Sequence, residues 1–475
     1  MACTSFENAK ALVNSLTQLD GEESIIMEGA TYHLVNSYDD LIKLNNKFNF
    51  IRSLNRNGKD DDVKHEGSLL ENVFFVIRFD IELSSIQKKA GLLLEGLRIS
   101  NCVFLGELKK DIQSDDDPNW EEGSLVLDRC LIKNEIRFVF NPVSFEAYDC
   151  CFMGSVSFHD LRDTFAGYFC DFTQIEIQTA HIDNLVLEEC SAKSLLINFD
   201  SHQPILNVVE ITHCRIEDIS FNSNNYAARV INKKLVLIGN DIKNFTTKKL
   251  HAKTLWINKC TIENIMVEKS IIDADFIMVE NTFDTINLRG TYFRGKILFD
   301  ISFIEYGDMN RIFKYNLRDT ETIENVNVFI RLANQNNDTD AELKLKYFQS
   351  VQKNKAYNTG VKYIANKVLD ITTGYFTNYR RIVLTMIATI VIFGAVYSLF
   401  PQYILVGDTT LDIATNNNTV LVIVNSFYFS LISYTTIGYG DLSPIGIFKL
   451  LSGIEGMLGV LISASLVTVF ARKFL

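Results

Sequence analysis

Two long apolar stretches near the C-terminal end of the chain set the strongest limit on its fold. Residues 382–400 form an uncharged run, and residues 445–470 form a longer one interrupted only by Lys449 and Glu455. A helix of about 20 residues crosses about 30 Å of hydrocarbon, so both stretches are predicted membrane spans. Residues 420–434 between them are apolar but too short to cross, which predicts a re-entrant helix enclosed by protein or by a water-filled cavity.

A glycine-containing heptamer lies between the short helix and the second span. It consists of Thr435, Thr436, Ile437, Gly438, Tyr439, Gly440 and Asp441. This segment resembles the selectivity filter of potassium channels, T-V-G-Y-G, with Ile in place of Val. The order of span, half-span, heptamer and span also resembles the two-helix pore module of that family. In such a loop Gly438 and Gly440 supply backbone angles that are strained for residues with a Cβ.

The resemblance implies a role for each residue around this loop. It assigns ion binding to Thr436, Ile437, Gly438, Tyr439 and Gly440, with K⁺ itself at the first four. Thr435, Asp441 and Tyr428 would support the loop, the Tyr428 hydroxyl donating a hydrogen bond to Asp441 at the outer mouth. Some bacterial members of the family carry Glu at the place of Ile432. One copy of the loop supplies one wall of a pore, so the resemblance also implies a homotetramer with cyclic symmetry.

The second span contains four residues of special interest. Gly453, Gly456 and Gly459 recur at three-residue spacing and lie near one helical face. By resemblance the inner helix bends at Gly459, or alternatively at Gly456, whereas close packing of helices through small residues is the other interpretation. Glu455 is a carboxylate inside a span, which is unfavourable unless it faces a cavity or has a partner. It either faces the ion pathway or forms hydrogen bonds behind the pore helix and fixes the loop.

Basic residues are distributed unevenly around the two spans. Arg380 and Arg381 precede the first span, while residues 401–419 after it contain no Lys or Arg. Arg472 and Lys473 follow the second span. The positive-inside rule therefore places both termini in the cytoplasm of a two-span protein of the plasma membrane or a bacterial inner membrane. Neither span has arginines at three-residue intervals, so no voltage-sensing helix is predicted.

The N-terminal part of the chain repeats. Cysteines recur every 20 residues at Cys130, Cys150, Cys170 and Cys190. Bulky apolar centres recur every five residues, as at Phe172, Ile177, Ile182, Leu187, Ala192 and Ile197. A period of five fits neither a helix nor a strand, but it fits a chain that turns a corner every five residues. The pattern resembles the pentapeptide-repeat family, a right-handed quadrilateral β-helix, which implies small residues two positions before each centre, stacked about 4.8 Å apart.

The nine cysteines have two sharper interpretations, a metal site and disulfides, and neither is favoured. A spacing of 20 gives a ladder, not the clustered pairs of a metal site. Disulfides are disfavoured because this domain is predicted to face the reducing cytoplasm. We therefore expect buried thiols that act as small apolar residues.

The sequence predicts a multidomain membrane protein with four parts. They are an N-terminal cap over 1–67, a cytoplasmic right-handed β-helix solenoid over 68–305, a helical linker over 306–380 and an all-α two-helix pore domain over 381–475. In the linker, a helix over 338–357 begins at Asp338 or Asp340, and a second covers 361–369. Its basic residues either contact anionic lipids or are simply solvated. These residues are Lys353, Lys355, Lys362, Lys367, Arg380 and Arg381.

The predicted function is passive potassium conduction through a homotetrameric pore that does not sense voltage. The β-helix would gate or assemble the pore through an unknown cytoplasmic ligand or protein. A net charge of −12 argues against nucleic-acid partners. No nucleophile, base or metal set converges, so neither an enzyme nor a cofactor is predicted, and K⁺ is the transported ion. The alternative is a membrane-anchored β-helix scaffold with a non-conducting or weakly selective cation pore.

Overall fold

Parallel strands and apolar helices occupy separate parts of the chain. The computed structural model divides into two units, residues 1–300 with 310–315 and residues 301–309 with 316–475. The predicted boundaries after residues 67 and 305 fall outside the part that the structure describes. Described are residues 6–18, 24–27, 30–53, 73–83, 85, 96–110, 124–138, 144–158, 161, 163–178, 181–199, 205–223, 231–300, 309–314, 318–416 and 418–474.

The first unit contains the predicted β-solenoid, with about seven turns. Its regular strands alternate between two sheets, and neighbours within a sheet are parallel and one coil apart. Phe152, for example, pairs with Phe172, and Phe172 pairs with Ala192. With strands numbered in chain order, the first sheet contains β1 (Ser24–Met27), β2 (Ala30–Val35), β4 (Val73–Ile77), β5 (Ile81–Glu82), β7 (Cys102–Phe104), β8 (Leu108–Lys110), β10 (Leu131–Ile132), β11 (Ile136–Phe138), β13 (Cys151–Phe158), β15 (Asp171–Gln178), β17 (Ser191–Phe199), β19 (Arg215–Ser223), β21 (Asp241–Lys248), β23 (Thr261–Glu268) and β25 (Thr282–Asn287). The second contains β3 (Ile51–Ser53), β6 (Gly96–Ser100), β9 (Ser124–Asp128), β12 (Ser144–Tyr148), β14 (Thr164–Tyr168), β16 (His181–Glu188), β18 (Ile205–Thr212), β20 (Ile231–Ile238), β22 (His251–Asn258), β24 (Ile271–Val279), β26 (Tyr292–Phe293) and β27 (Lys296–Phe299).

Large side chains fill positions of the solenoid interior where the sequence predicted small ones. The apolar centres that recur every five residues are buried as predicted. The expectation of a small residue two positions before every centre is wrong, because Ile175, Leu185 and Leu195 stand there and are fully buried. At the cysteine corners, Cys170 and Cys190 do stand two positions before the centres Phe172 and Ala192. The β-solenoid is therefore established, whereas its pentapeptide-repeat form stays a prediction.

A ladder of side chains lines one corner of the solenoid. It consists of Cys130, Cys150, Cys170, Cys190, Cys214, Asn240, Cys260 and Asn281. The ladder cysteines are buried and free. Six of the ladder side chains accept a hydrogen bond from the backbone of the neighbouring coil, namely Cys150, Cys170, Cys190, Cys214, Asn240 and Asn281. Cys130 N donates to Cys150 Sγ at 3.3 Å, and Cys214 N donates to Asn240 Oδ1 at 2.8 Å. The interpretation of the thiols as merely small apolar groups is therefore incomplete, because they also satisfy buried backbone N–H groups.

Antiparallel pairing and a helix end the solenoid at its N-terminal side. Within the predicted cap, β2 pairs parallel with β4 and so extends the first sheet. The outermost pairs, β1 with β2 and β3 with β6, are antiparallel. Helix α1 (Phe6–Thr17) packs Val13 and Leu16 against Tyr32 and Phe74 of the first sheet. Helix α2 (Tyr38–Phe48) follows β2. Solenoid strands thus occur inside the segment assigned to the cap, and their irregular end covers the core.

Four helices follow the solenoid in sequence, namely α3 (Met309–Lys314), α4 (Asp319–Gln335), α5 (Thr339–Tyr357) and α6 (Gly360–Thr373). Helix α5 matches the predicted helix, and Asp338 is its N-cap, accepting a hydrogen bond from Ala341 N at 2.9 Å. Helix α6 extends the second predicted helix at both ends. Helix α4 was not predicted; it buries Ile323, Phe329 and Leu332 and packs against α5.

The C-terminal part contains a two-helix arrangement close to the predicted one. Helices α7 (Tyr379–Leu399) and α10 (Phe448–Phe474) are long and apolar enough to cross a membrane. Helix α9 (Thr419–Tyr434) between them is apolar and shorter. The connections contain a 3₁₀ turn (Pro401–Tyr403), β28 (Ile404–Val406), β29 (Thr409–Thr410), α8 (Leu411–Ala414) and β30 (Leu442–Pro444).

Candidate functional site

The loop of residues 435–441, which joins α9 to β30, has an unusual backbone. At the end of α9, Thr436 N donates to Ser433 O and Ile437 N donates to Ile432 O, each at 3.1 Å. This is the Schellman pattern, in which the residue after the helix adopts left-handed angles. Thr436 takes that position with φ of 56°, which is rare for a β-branched residue.

Positive φ then recurs at every second residue of the 435–441 loop. Gly438 has φ of 57° and Gly440 has φ of 82°. A Cβ on either glycine would meet no atom within 4 Å in the described part of one chain. Glycine is therefore favoured at both positions because of the backbone angles, and not because a side chain would clash with neighbouring atoms.

The side chains of the 435–441 loop are open in a single chain. Ile437 is 56% exposed and Tyr439 is 69% exposed. Among the described residues, no group of three or more His, Cys, Asp or Glu side chains stands where it could hold a metal ion.

A small antiparallel sheet fixes the far end of the loop. Strand β30 follows the loop directly and pairs with β28, Leu442 opposite Val406. Behind this sheet lies an apolar cluster of Tyr397, Ile404, Leu411, Phe429, Ile432, Leu442 and Phe448. Ile432 is thus a buried member of this cluster.

The predicted supporting residues flank the loop on both sides. The Tyr428 hydroxyl lies beside the carboxylate of Asp441, which is otherwise exposed. Thr435 Oγ1 donates to Leu431 O at 2.7 Å and so caps the last turn of α9. Both ends of the loop are therefore tied to α9.

Glu455 of α10 is fully buried where three helices meet. Tyr397 Oη of α7 donates to Glu455 Oε2 at 2.8 Å, and Ser430 Oγ of α9 lies 2.5 Å from Glu455 Oε1. Ser430 Oγ also lies 3.0 Å from the carbonyl oxygen of Ile390. Within the described residues, no basic side chain comes within 4.0 Å of this carboxyl group. Of the two roles left open by the sequence, the hydrogen bonds to neighbouring helices are the one observed.

The glycines of α10 differ in their surroundings. A Cβ on Gly459 would come within 1.9 Å of Tyr434 O, and one on Gly456 would lie 3.3 Å from Ser433 O. A Cβ on Gly453 would meet nothing within 4 Å. Helix α10 runs unbroken from Phe448 to Phe474. Close packing is therefore observed at Gly459, and bending at Gly459 or Gly456 stays a prediction.

Sequence reasoning missed Tyr397 and Ser430, the two partners of Glu455. A buried polar group in an apolar helix needs a hydrogen-bonding partner, which is the only signal that points to them. The signal is weak, because α7, α9 and α10 contain several other hydroxyl side chains. The sequence does not reveal the spacing between helices that joins the three.

Comparison with known proteins identifies this part of the chain. Residues 385–475 match the family model described as "Ion channel". This segment is an ion-channel pore domain. No curated protein and no solved structure gives a significant match to the chain. The matched region contains most of α7 and all of α9, the 435–441 loop and α10, so the chain is a membrane protein in which a pore domain follows a β-solenoid.

Proposed function

We propose that the protein is a potassium-selective channel whose pore is formed by four copies around one axis. One observation carries the proposal: left-handed angles at Thr436, Gly438 and Gly440, in a loop of filter-like sequence within an ion-channel pore domain. In this function the backbone carbonyls of the loop replace the hydration shell of K⁺. Conduction is passive and does not sense voltage, and the solenoid gates or assembles the pore through a cytoplasmic ligand or protein.

Exposed apolar side chains support the assembly of several copies. Ile437 and Tyr439 sit on a loop of fixed conformation, yet a single chain leaves both largely uncovered. Uncovered apolar groups on an ordered loop are typical of an interface. In a closed ring of four copies, neighbouring loops cover them and provide the missing walls of the pore.

We propose further that Glu455 is neutral. Ser430 has a single hydroxyl proton, so it cannot donate a full hydrogen bond to Ile390 O and to Glu455 Oε1 at the same time. When Glu455 is protonated it donates to Ser430, Ser430 donates to Ile390 O and Tyr397 donates to Glu455, so all the groups are satisfied. An ionised carboxylate buried without a counter-charge would be unfavourable by several kcal/mol. Glu455 thus acts as a neutral acid that joins α7, α9 and α10 and holds the pore helix.

If the protein were a membrane-anchored scaffold with a non-conducting pore, the 435–441 loop would not need its filter-like residues. A pore that no longer conducts is free to lose its glycines, because nothing else in one chain crowds them. The chain has Thr436, Gly438 and Gly440, and all three adopt left-handed backbone angles, which glycine tolerates best. The conducting channel is therefore the better-supported function.

Ion flux into proteoliposomes tests the proposal. We expect potassium uptake to exceed sodium uptake strongly, and Gly438→Ala to abolish it, because a Cβ strains a backbone with φ of 57°. Gly407→Ala is a matched control: Gly407 also has positive φ, 64°, with no atom within 4 Å of its Cβ position. Equal potassium and sodium flux would overturn the selectivity, and undiminished flux in Gly438→Ala would overturn the role of the loop.

A further inference from the structure

The helix that precedes the first span carries an apolar stripe on its surface. Val361, Ile364, Val368 and Ile371 of α6 are 83%, 63%, 53% and 67% exposed. Their spacing of three or four residues places them on one side of the helix. We call these four residues the α6 stripe. Within the described part of one chain, nothing covers it.

The opposite side of α6 is held by polar contacts. Asp370 is buried and accepts hydrogen bonds from Tyr347 Oη at 2.9 Å and Arg381 Nη1 at 3.0 Å. At about 100° per residue, Val361 lies opposite Asp370 on the helix. Thr385 Oγ1 of α7 also donates to Thr372 O at the end of α6, at 2.7 Å. These bonds fix the rotation of α6 about its axis, so the stripe faces away from the protein.

Two lysines border the apolar side of the helix. Helical geometry places Lys362 and Lys367 on opposite edges of that side, between it and the protein-contacting side. Lys367 Nζ lies 3.1 Å from Asp370 Oδ2, and Lys362 is exposed. An apolar face bordered by long basic side chains is typical of a helix lying in the surface of a membrane, because the aliphatic stems reach across the boundary while the ammonium groups stay in water.

The length and position of α6 suit the same location. It has 14 residues, about 21 Å at 1.5 Å per residue, too short to cross the hydrocarbon. Its C-terminal end is bonded to the first turns of α7, where the membrane span begins. Leu384 and Ile387 of α7 are also exposed, so apolar surface continues from the span.

We propose that α6 lies in the membrane–water interface, with the α6 stripe among the lipid acyl chains and its lysines at the phosphate level. The proposal rests on the membrane location of the pore domain and not on its ion selectivity. The 3–4 spacing of the stripe also fits a coiled coil with a second copy. The membrane is favoured because α6 is tied to a membrane span at one end.

Spin labelling of the full-length protein in phosphatidylcholine–phosphatidylglycerol vesicles tests the proposal. In a Cys3→Ser background, nitroxides are placed one at a time at Ile364→Cys, Val368→Cys and Lys362→Cys. We expect the first two to be accessible to oxygen and shielded from a water-soluble nickel chelate, and the third to show the reverse. Access of the chelate to the first two would overturn the proposal. Shielding from both reagents with spin–spin coupling between copies would also overturn it, in favour of a coiled coil.

A second variant separates lipid contact from folding. Ile364→Glu is expected to lower the oxygen accessibility of the Val368 label several-fold, because a charged residue draws the stripe towards water. Ile364→Leu is the matched control and should leave it unchanged. Helicity measured by circular dichroism should be the same in both variants, since Ile364 is exposed. If Ile364→Glu left the oxygen accessibility of the nitroxide at residue 368 unchanged, insertion of the α6 stripe would be contradicted. Because none of these readouts measures ion flux, they stand apart from the test of the channel.

Discussion

Glu455 gives the sharpest prediction at the scale of single residues. Glu455→Gln should keep potassium flux and thermal stability near the wild-type values, because a glutamine amide also donates to Ser430 and accepts from Tyr397. Glu455→Ala should lower stability by about 1–3 kcal/mol, because the buried Tyr397 hydroxyl loses its acceptor, whereas Ser430 keeps Ile390 O. Thermal unfolding and flux of both variants provide the measurement. An equal loss in Gln and Ala would contradict the neutral form of Glu455. The infrared carbonyl stretch of a protonated carboxyl should disappear in Glu455→Gln.

Substitution of Gly459 tests whether this glycine serves close packing or bending of α10. Gly459→Ala should reduce both stability and flux, because its Cβ would stand 1.9 Å from Tyr434 O. Gly453→Ala, with nothing within 4 Å, should be tolerated and gain up to about 1 kcal/mol in helix propensity. Thermal unfolding in detergent measures both. If Gly459→Ala instead stabilised the protein while flux fell, bending and not packing would be the role of this glycine.

At the scale of elements, the ladder side chains are expected to work as hydrogen-bond acceptors. Cys170→Ala leaves the buried N–H of Cys150, now 3.4 Å from Cys170 Sγ, without a partner, at about 1–3 kcal/mol. Cys170→Ser should cost less, because Ser270 already accepts from Leu250 N at 3.2 Å at another corner. Hydrogen exchange at Cys150 should be faster in the alanine variant. Better tolerance of Ala than of Ser would support the purely apolar interpretation.

The attachment of α6 to its neighbours should depend on pH. Burial opposes ionisation of Asp370, but hydrogen bonds from Lys367, Tyr347 and Arg381 outweigh it and hold the pKa of Asp370 below its usual range. A lowered pKa contributes stability at neutral pH that is lost as the pH falls below about 4. The stability difference between wild type and Asp370→Asn should therefore shrink on acidification. A difference that is constant between pH 7 and pH 3 would contradict this.

The elements differ in how far the sequence could predict them. The ends of α7, α9 and α10 fell within four residues of the predicted ones, because long apolar runs carry strong signals. Strands β28 to β30 were not predicted, since such short strands depend on pairing partners distant in sequence. The repeat revealed the solenoid, but not that the thiols accept hydrogen bonds. The contacts of Glu455 with Tyr397 and Ser430 could not be predicted either, because they depend on the packing of three helices.

At the scale of the whole molecule, the number of subunits is the quantity to measure. If one defective loop is enough to close a ring of four, co-expression of wild type with equal amounts of Gly438→Ala should leave about one sixteenth of the flux. Native mass spectrometry in lipid nanodiscs should give the mass of four chains. A residual flux of about one quarter would indicate two subunits, and a flux of one half would indicate independent chains.

The row of free thiols in the solenoid has a practical consequence. Burial raises the pKa of the Cys102 and Cys260 thiols, so these two are protonated as well as enclosed, and alkylating reagents react poorly with such groups. A coil that frays uncovers its own cysteine while its neighbours stay protected. Peptide mapping after a pulse of iodoacetamide would then record, coil by coil, the order in which the solenoid comes apart.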